Sequence, residues 1–291
     1  MDKSTIFGLL AAFVVVFLAI ATQGSFAVFF SISSFLIVMG GVFSVTIVNF
    51  SYTEVVKTFE SVYENLKTTK VDLRTDIELI NMFARKARRD GMLALEDDLH
   101  RIDDSFLRNG LLSVMDGLKK ETLLNILDDQ LENAERVMER GVRVLGSMGE
   151  YSPAFGMMGT VIGLILMLQN IEDPESLGHG LAIALLTTLY GTFLQNIFFL
   201  PLSGKLDHMS EKQLTRKRMF KSAIVSIIEE ENPRIMEDKM LIYLAPAERA
   251  AYLAYYDKET FDKEREERLY ENWDQYQNKS WQHLVANMAT G

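Results

Sequence analysis

The stretch GMMGTVIGLILMLQNIEDPESLGHGLAIALLTTLYGTFLQNIFFLPLSGK runs from Gly156 to Lys205 and holds two uncharged apolar segments around a short acidic loop. Each segment is about 20 residues long, which is the length that an α-helix needs to cross a bilayer. Threonines lie in the middle of both segments, at Thr160, Thr187, Thr188 and Thr192. The stretch therefore predicts two membrane helices that carry hydroxyl groups, and no charge, at their centres.

The rest of the chain separates charged from apolar sequence in the same way. Of the 291 residues, 48% are hydrophobic and 24% are charged, and residues 4–53 contain no Asp, Glu, Lys, Arg or His. That first apolar run is too long for one span, and it breaks at the polar turn signal 22–25. The sequence predicts an all-α polytopic membrane protein with four transmembrane helices, at 4–22, 27–49, 151–171 and 179–203. A cleaved signal peptide is the alternative for the first span, but the segment before it carries no net positive side-chain charge.

The distribution of basic residues predicts the topology. The short loops 23–26 and 172–178 contain no Lys or Arg, so they are expected to face outward, with both termini in the cytoplasm. The predicted organisation is transmembrane helices 1 and 2, a helical cytoplasmic domain, transmembrane helices 3 and 4, and a cytoplasmic helical C-terminal region with a charged tail: 1–50, 51–150, 151–204 and 205–291.

Two further helices are expected in the cytoplasmic parts. Apolar residues recur at helical spacing from Leu124 to Leu145, which predicts a helix that approaches the third span and is interrupted at Gly146, Gly149 and Pro153. A second helix is predicted over 205–230, ended by Asn232-Pro233.

A charged segment, RKARRDGMLALEDDLHRIDD, begins at Arg85. Basic residues precede an acidic run, with Gly91 between them. The pattern predicts a helical hairpin that turns near Gly91. Its charges are either a solvated face or an electrostatic docking surface for another protein. The tail from Ala245 to Gly291 is charged and aromatic, and no function is assigned to it.

The residues needed for catalysis, metal binding or nucleic-acid binding are not evident. There is no cysteine, and none of the four histidines has a metal-ligating neighbour at helical spacing. The net charge of −10 argues against a nucleic-acid partner. Glycines at 156, 159 and 163 lie inside a predicted span, where they allow close helix packing, and do not form a phosphate-binding loop. We therefore expect no enzyme activity, no cofactor and no structural metal.

Thr188, Thr192 and Asn196 share one face of the last span at i, i+4 and i+8. This polar face is explained either by interhelical packing or by the lining of an ion path. Threonine oxygens are neutral ligands that can replace part of the hydration shell of a hard cation such as sodium. They cannot carry a proton at neutral pH. If the protein moves ions, a partner must supply the carboxylate that balances the charge inside the membrane.

The third- and fourth-span segments resemble the MotA/PomA family of bacterial flagellar stator A subunits, which belongs to the MotA/TolQ/ExbB proton-channel superfamily. The resemblance covers residues 1 to about 244 and includes the Gly40-Gly41 pair, ARRDGMLALED from Ala87 and ENPR from Glu231. It implies a homopentamer in the inner membrane around a MotB/PomB-like B subunit, which bears the membrane Asp and a peptidoglycan anchor.

The resemblance also implies roles for particular residues. Arg88 and Glu96 match the charged residues that meet the rotor protein FliG, and Pro153 and Pro201 match the prolines that flank the channel helices as hinges. Thr160, Thr187 and Thr188 match the ion-path threonines of sodium-driven PomA-type stators, whereas proton-driven relatives often have Ala-Thr at 187–188. Sodium is therefore the expected cation and a proton the alternative. The sequence also leaves open an ExbB/TolQ-like subunit that energises an outer-membrane process, and a static helical scaffold.

Overall fold

A computed structural model describes residues 3–22, 26–67, 71–99, 102–169 and 174–255. These residues form helices and no strands, which confirms the all-α class. The helices are α1 (Lys3–Ala21), α2 (Ile32–Asn49), α3 (Tyr52–Lys67), α4 (Leu73–Asp90), α5 (Ser105–Met115), α6 (Lys120–Gln169), α7 (Pro174–Phe193), α8 (Leu200–Ile228), α9 (Pro233–Met240) and α10 (Pro246–Tyr255). Short 3₁₀ turns lie at Phe26–Phe29, Met92–Leu95 and Leu241–Tyr243, and a single helical turn lies at Glu96–Leu99.

Three helical stretches are long and apolar enough to cross a membrane: Ile32–Asn49, Lys120–Gln169 and Leu177–Ile228. They overlap the second, third and fourth predicted spans. The first predicted span coincides with α1, whose apolar part, Leu10–Ala21, is shorter than a full span. A membrane crossing by α1, the first predicted span, therefore stays a prediction.

Helix α2 begins at Ile32, five residues later than the sequence predicts for the second span. Ser31 caps it, because its hydroxyl accepts a hydrogen bond from the Ser34 amide at 3.3 Å. Tyr190 fixes the chain just before the cap: its hydroxyl donates to the Phe29 carbonyl at 2.7 Å and accepts from the Ser31 amide at 3.0 Å.

The predicted interruption of the helix at Gly146, Gly149 and Pro153 is wrong. Helix α6 is continuous over 50 residues, with Pro153 inside it. Pro153 cannot donate to the Gly149 carbonyl. Packing keeps the helix continuous, because α7 and α8 lie directly against this part of α6. A Cβ atom at Gly149 would lie 3.0 Å from the Leu200 side chain, and one at Gly191 would lie 3.2 Å from the Pro153 Cα.

Two π-helical turns interrupt the regular helices. One lies at Leu36–Gly40 inside α2, and the other, Leu194–Phe199, connects α7 to α8. At the second turn the Leu200 amide donates to the Gln195 carbonyl five residues back. Pro201 follows at once, so a residue without an amide proton comes directly after a widened turn.

The chain forms two compact units. The first combines Met1–Lys70 with Asn133–Lys212, and the second combines Val71–Glu132 with Gln213–Gly291. Helices α6 and α8 contribute residues to both. The core of the first unit is built from α2, α6 and α8 side chains, together with the π-helical turn before α8, such as Val38, Val42, Leu145, Met148 and Phe199.

The second unit has its own apolar core, which includes Ile77, Phe83, Leu107, Leu111, Phe220 and Ile224. Arg216 adds a polar junction: its guanidinium donates to both carboxylate oxygens of Asp76 at 2.6 and 2.7 Å and to Asp104 at 3.3 Å. Burial raises the pKa of the Asp76 carboxyl, and the hydrogen bonds from Arg216 oppose that shift. Asp104 also caps α5 by accepting from the Phe106 and Leu107 amides. Arg216 thus fixes α4 and α5, between which the charged hairpin lies.

Candidate functional site

Glycines bring α6 and α7 into backbone contact. A Cβ atom at Gly159 would lie 2.4 Å from the Thr187 side chain, and one at Gly163 would lie 2.5 Å from the Gly180 carbonyl oxygen. One at Gly156 would lie 3.0 Å from the Thr187 carbonyl oxygen. Because these spacings leave no room for a side chain, the two helices approach as closely as small residues allow. The predicted packing role of the three glycines is confirmed in this unit.

Close approach of the helices brings two threonine hydroxyls together. The Oγ1 atoms of Thr160 on α6 and Thr188 on α7 are 2.6 Å apart. Both hydroxyls also lie within hydrogen-bonding distance of the Ala184 carbonyl, at 3.1 and 3.2 Å, and Thr160 lies 3.0 Å from the Gly156 carbonyl. The result is a cluster of four oxygen atoms on the exposed side of the α6–α7 contact.

This cluster contains more lone pairs than protons. Each hydroxyl has one proton, so it donates a single strong bond, while its oxygen keeps lone pairs that can bind a cation. The oxygens are neutral and hard, which suits sodium. The Ala184 carbonyl was missed by the sequence reasoning, because a backbone atom leaves no signal in the pattern of side chains.

Thr187 lies apart from this pair. It is buried against Gly159, and its hydroxyl donates within its own helix, to the Ile183 carbonyl at 2.9 Å or the Ala184 carbonyl at 3.1 Å. Thr187 therefore packs at the crossing of α6 and α7, whereas Thr160 and Thr188 form the oxygen cluster.

Beyond Thr188 the polar face continues along α7 and into the π-helical turn that follows it. Thr188, Thr192 and Asn196 are all exposed. The Thr192 hydroxyl lies 2.9 Å from the Thr188 carbonyl, and the Asn196 amide donates to the Thr192 carbonyl at 2.9 Å. Since these donors turn toward the backbone, the acceptor oxygens of the side chains remain available on the outer face.

The charged hairpin turns at Gly91, as the sequence predicts. Gly91 has a φ of 88°, a conformation that favours glycine. Lys86 pairs with Asp98 at 2.5 Å across the turn. Arg88 and Glu96 are exposed, and neither forms a hydrogen bond or ion pair with another residue of the described chain.

A metal centre of the usual kind is absent from the part of the chain that the structure describes. No group of three or more His, Cys, Asp or Glu side chains there is placed to hold a metal ion. The threonine cluster thus offers oxygen ligands without a carboxylate.

Known proteins are similar to this chain in sequence and in fold. Residues 98–219 match the MotA/TolQ/ExbB proton channel family. Motility protein A of Bacillus subtilis is 30% identical over 274 residues, which cover 92% of this chain and 100% of that protein. Chemotaxis protein PomA of Vibrio alginolyticus is 30% identical over 250 residues, which cover 86% of this chain and 98% of that protein. In the structure of the flagellar MotAB stator complex from Bacillus subtilis, one chain matches with a TM-score of 0.79 and 29% identity, over 87% of this chain and 100% of that chain.

We predict that Gly163→Ala separates α6 from α7. The new methyl group would meet backbone atoms of Gly180 and Ala184, which cannot rotate away. Overpacking of this kind typically costs about 1–3 kcal/mol, so the thermal midpoint of the purified protein should fall. Gly204→Ala is the matched control, since a Cβ atom at Gly204 meets nothing within 4 Å. Equal midpoints for the two variants, measured by circular dichroism, would contradict the tight crossing.

Proposed function

The chain belongs to the motility protein A family, within the MotA/TolQ/ExbB proton channel family, and from that premise we propose that it is the A subunit of a flagellar stator. In this role it couples cation flow across the bacterial inner membrane to torque on the rotor. It is an ion-channel subunit and not an enzyme. The threonine oxygen cluster at the α6–α7 crossing is the observation that carries the proposal.

A B subunit completes the ion path. Residues 151–171 and 180–204 contain no acid or base, so this chain has oxygen ligands but no charge with which to balance a cation. A MotB/PomB-like helix with a membrane Asp, placed against the exposed faces of Thr160 and Thr188, would supply the carboxylate. The solved MotAB stator complex supports such a pairing, because this protein covers the whole length of one of its chains.

Sodium is the cation that we propose. The Thr160–Thr188 pair and the Ala184 carbonyl offer neutral oxygens, which a proton would not need as ligands. Thr187 completes the proposed path by fixing the spacing of the helices at the pair. A proton-driven stator is the alternative, and the similarity to both PomA and motility protein A leaves it open to test.

A flagellar role is better supported than an ExbB/TolQ-like role in outer-membrane energisation. Relatives named for motility match this chain over nearly their whole lengths.

Five copies around the B subunit, with both termini in the cytoplasm, complete the proposed assembly. The loops without Lys or Arg on the other side support this orientation.

Arg88 and Glu96 are the proposed contact with the rotor protein FliG. Both are exposed on a hairpin that the Lys86–Asp98 pair holds closed. Their exposed charges can pair with opposite charges on a partner.

Pro153 and Pro201 are the proposed hinges of the channel helices.

We predict that Pro153→Ala restores the amide donor to the Gly149 carbonyl and stiffens α6, so torque at high load should fall while the amount of assembled complex stays the same. Pro233→Ala is the control, because a proline at the start of α9 replaces no helical hydrogen bond. Unchanged torque in Pro153→Ala, measured with beads on flagellar stubs, would make the proline a structural feature only.

The cation is tested at Thr188. We predict that rotation speed saturates with external sodium at fixed pH, and that Thr188→Val lowers the apparent sodium affinity by at least about tenfold, which corresponds to roughly 1.4 kcal/mol for one lost ligand. Bead rotation is measured across a sodium series, with potassium holding the ionic strength constant.

Thr46→Val is the matched control for this experiment. Thr46 is also a threonine of an apolar helix, but it is buried, and its hydroxyl donates to the Val42 carbonyl of its own helix at 2.7 Å. It should keep the sodium response of the parent protein. Rotation that persists without sodium, and stops when a protonophore is added at constant membrane potential, would establish a proton-driven stator instead.

A further inference from the structure

Leu93 is an apolar side chain in an unexpected place. It lies in the 3₁₀ turn Met92–Leu95 with 74% of its surface exposed. The two other leucines of the same short segment, Leu95 and Leu99, are 0% and 1% exposed. Leu95 and Leu99 therefore pack the segment Met92–Leu99 against the core, and Leu93 is not needed for that packing.

Along the chain of the hairpin, Leu93 lies between two exposed charged residues. The Lys86–Asp98 ion pair brings the two arms of the turn together, and both partners are partly buried. Arg88 and Glu96 each lie two residues inside this pair along the chain, with Leu93 between them. Arg88, Leu93 and Glu96 are thus exposed residues of one closed hairpin, a cation, an apolar group and an anion, and together they are here termed the Leu93 surface.

Charges alone are poor anchors at such a surface. Exposed ion pairs contribute little free energy, and salt screens them. Strong protein interfaces instead bury a few large side chains at their centre, surrounded by polar groups that exclude water. The Leu93 surface offers the residue types of such an interface, one large apolar side chain and two charged ones.

We propose that Leu93 is the apolar anchor of the rotor contact. Its partner surface would have an apolar pocket for Leu93, flanked by a carboxylate that pairs with Arg88 and by a cationic side chain that pairs with Glu96. This inference rests on the proposed stator function. The inference adds to that function a buried leucine as the main source of binding free energy at the rotor contact. The charges set the orientation of the partners and the rate of their encounter.

The position of Leu93 in the working motor is tested by photo-cross-linking. A photoreactive amino acid is placed at residue 93 or at residue 242 of the full-length chain in motile cells. Ile242 is the matched control, because it is 70% exposed in a 3₁₀ turn of the same unit but lies outside the hairpin. We expect an adduct identified by mass spectrometry as FliG from residue 93 and none from residue 242. Adducts from both positions, or from neither, would overturn the proposal.

Torque measurements separate the anchor from the charges. Leu93→Ala should reduce stall torque at least about twofold and Leu93→Asp should abolish it, while Ile242→Ala keeps the parent torque. Thermal midpoints of the purified variants should stay equal, since Leu93 lies on the surface and outside the core.

Binding of purified FliG to the stator in nanodiscs adds a second readout. Salt should weaken the effect of Arg88→Glu and leave that of Leu93→Ala unchanged.

The outcomes distinguish this inference from the function on which it rests. Full torque in Leu93→Asp, with torque lost in Arg88→Glu and Glu96→Lys, would overturn the anchor and leave the rotor contact in place. Full torque in all of these variants would overturn the rotor contact as well.

Discussion

Backbone contact between α6 and α7 is the constraint on which the proposed ion path depends. Glycines at 156, 159 and 163 remove the side chains that would hold the helices apart. The Thr160 and Thr188 hydroxyls meet only because the helices are this close. Without the crossing, each hydroxyl would donate to its own helix and the cluster would be lost. The crossing therefore converts an ordinary apolar helix pair into one with a concentrated set of neutral oxygen ligands.

The charged hairpin is likewise held by contacts behind its exposed residues. Its buried leucines and the Lys86–Asp98 pair fix the turn, and Arg216 joins the first turn of α4 to the cap of α5 through Asp76 and Asp104. A buried ion pair adds little net stability, because desolvation offsets most of the attraction, but it orients the groups that it joins. The exposed residues of the turn are thus held by a rigid support.

Hydropathy and helical spacing were enough to predict the all-α class and the helices that contain the last three spans. They also predicted the turn at Gly91 and the packing role of the glycines. They failed at Pro153, where local helix propensity predicted an interruption. Long-range packing against Gly191 and Leu200 keeps the helix continuous there. The π-helical turn before Pro201 and the carbonyl of Ala184 in the oxygen cluster are backbone features, so no pattern of side chains could have predicted them. Similarly, spacing placed Thr187 beside Thr188, but only the structure shows that the two hydroxyls point to different surroundings.

In the proposed ion path this chain supplies oxygen ligands and its partner supplies the charge. The most direct measurement is the uptake of radioactive sodium into liposomes under a fixed membrane potential, with the purified chain alone and with its B subunit. We expect uptake at background level for the chain alone, and uptake that depends on the membrane Asp when the B subunit is present. Robust sodium uptake by this chain alone would contradict it.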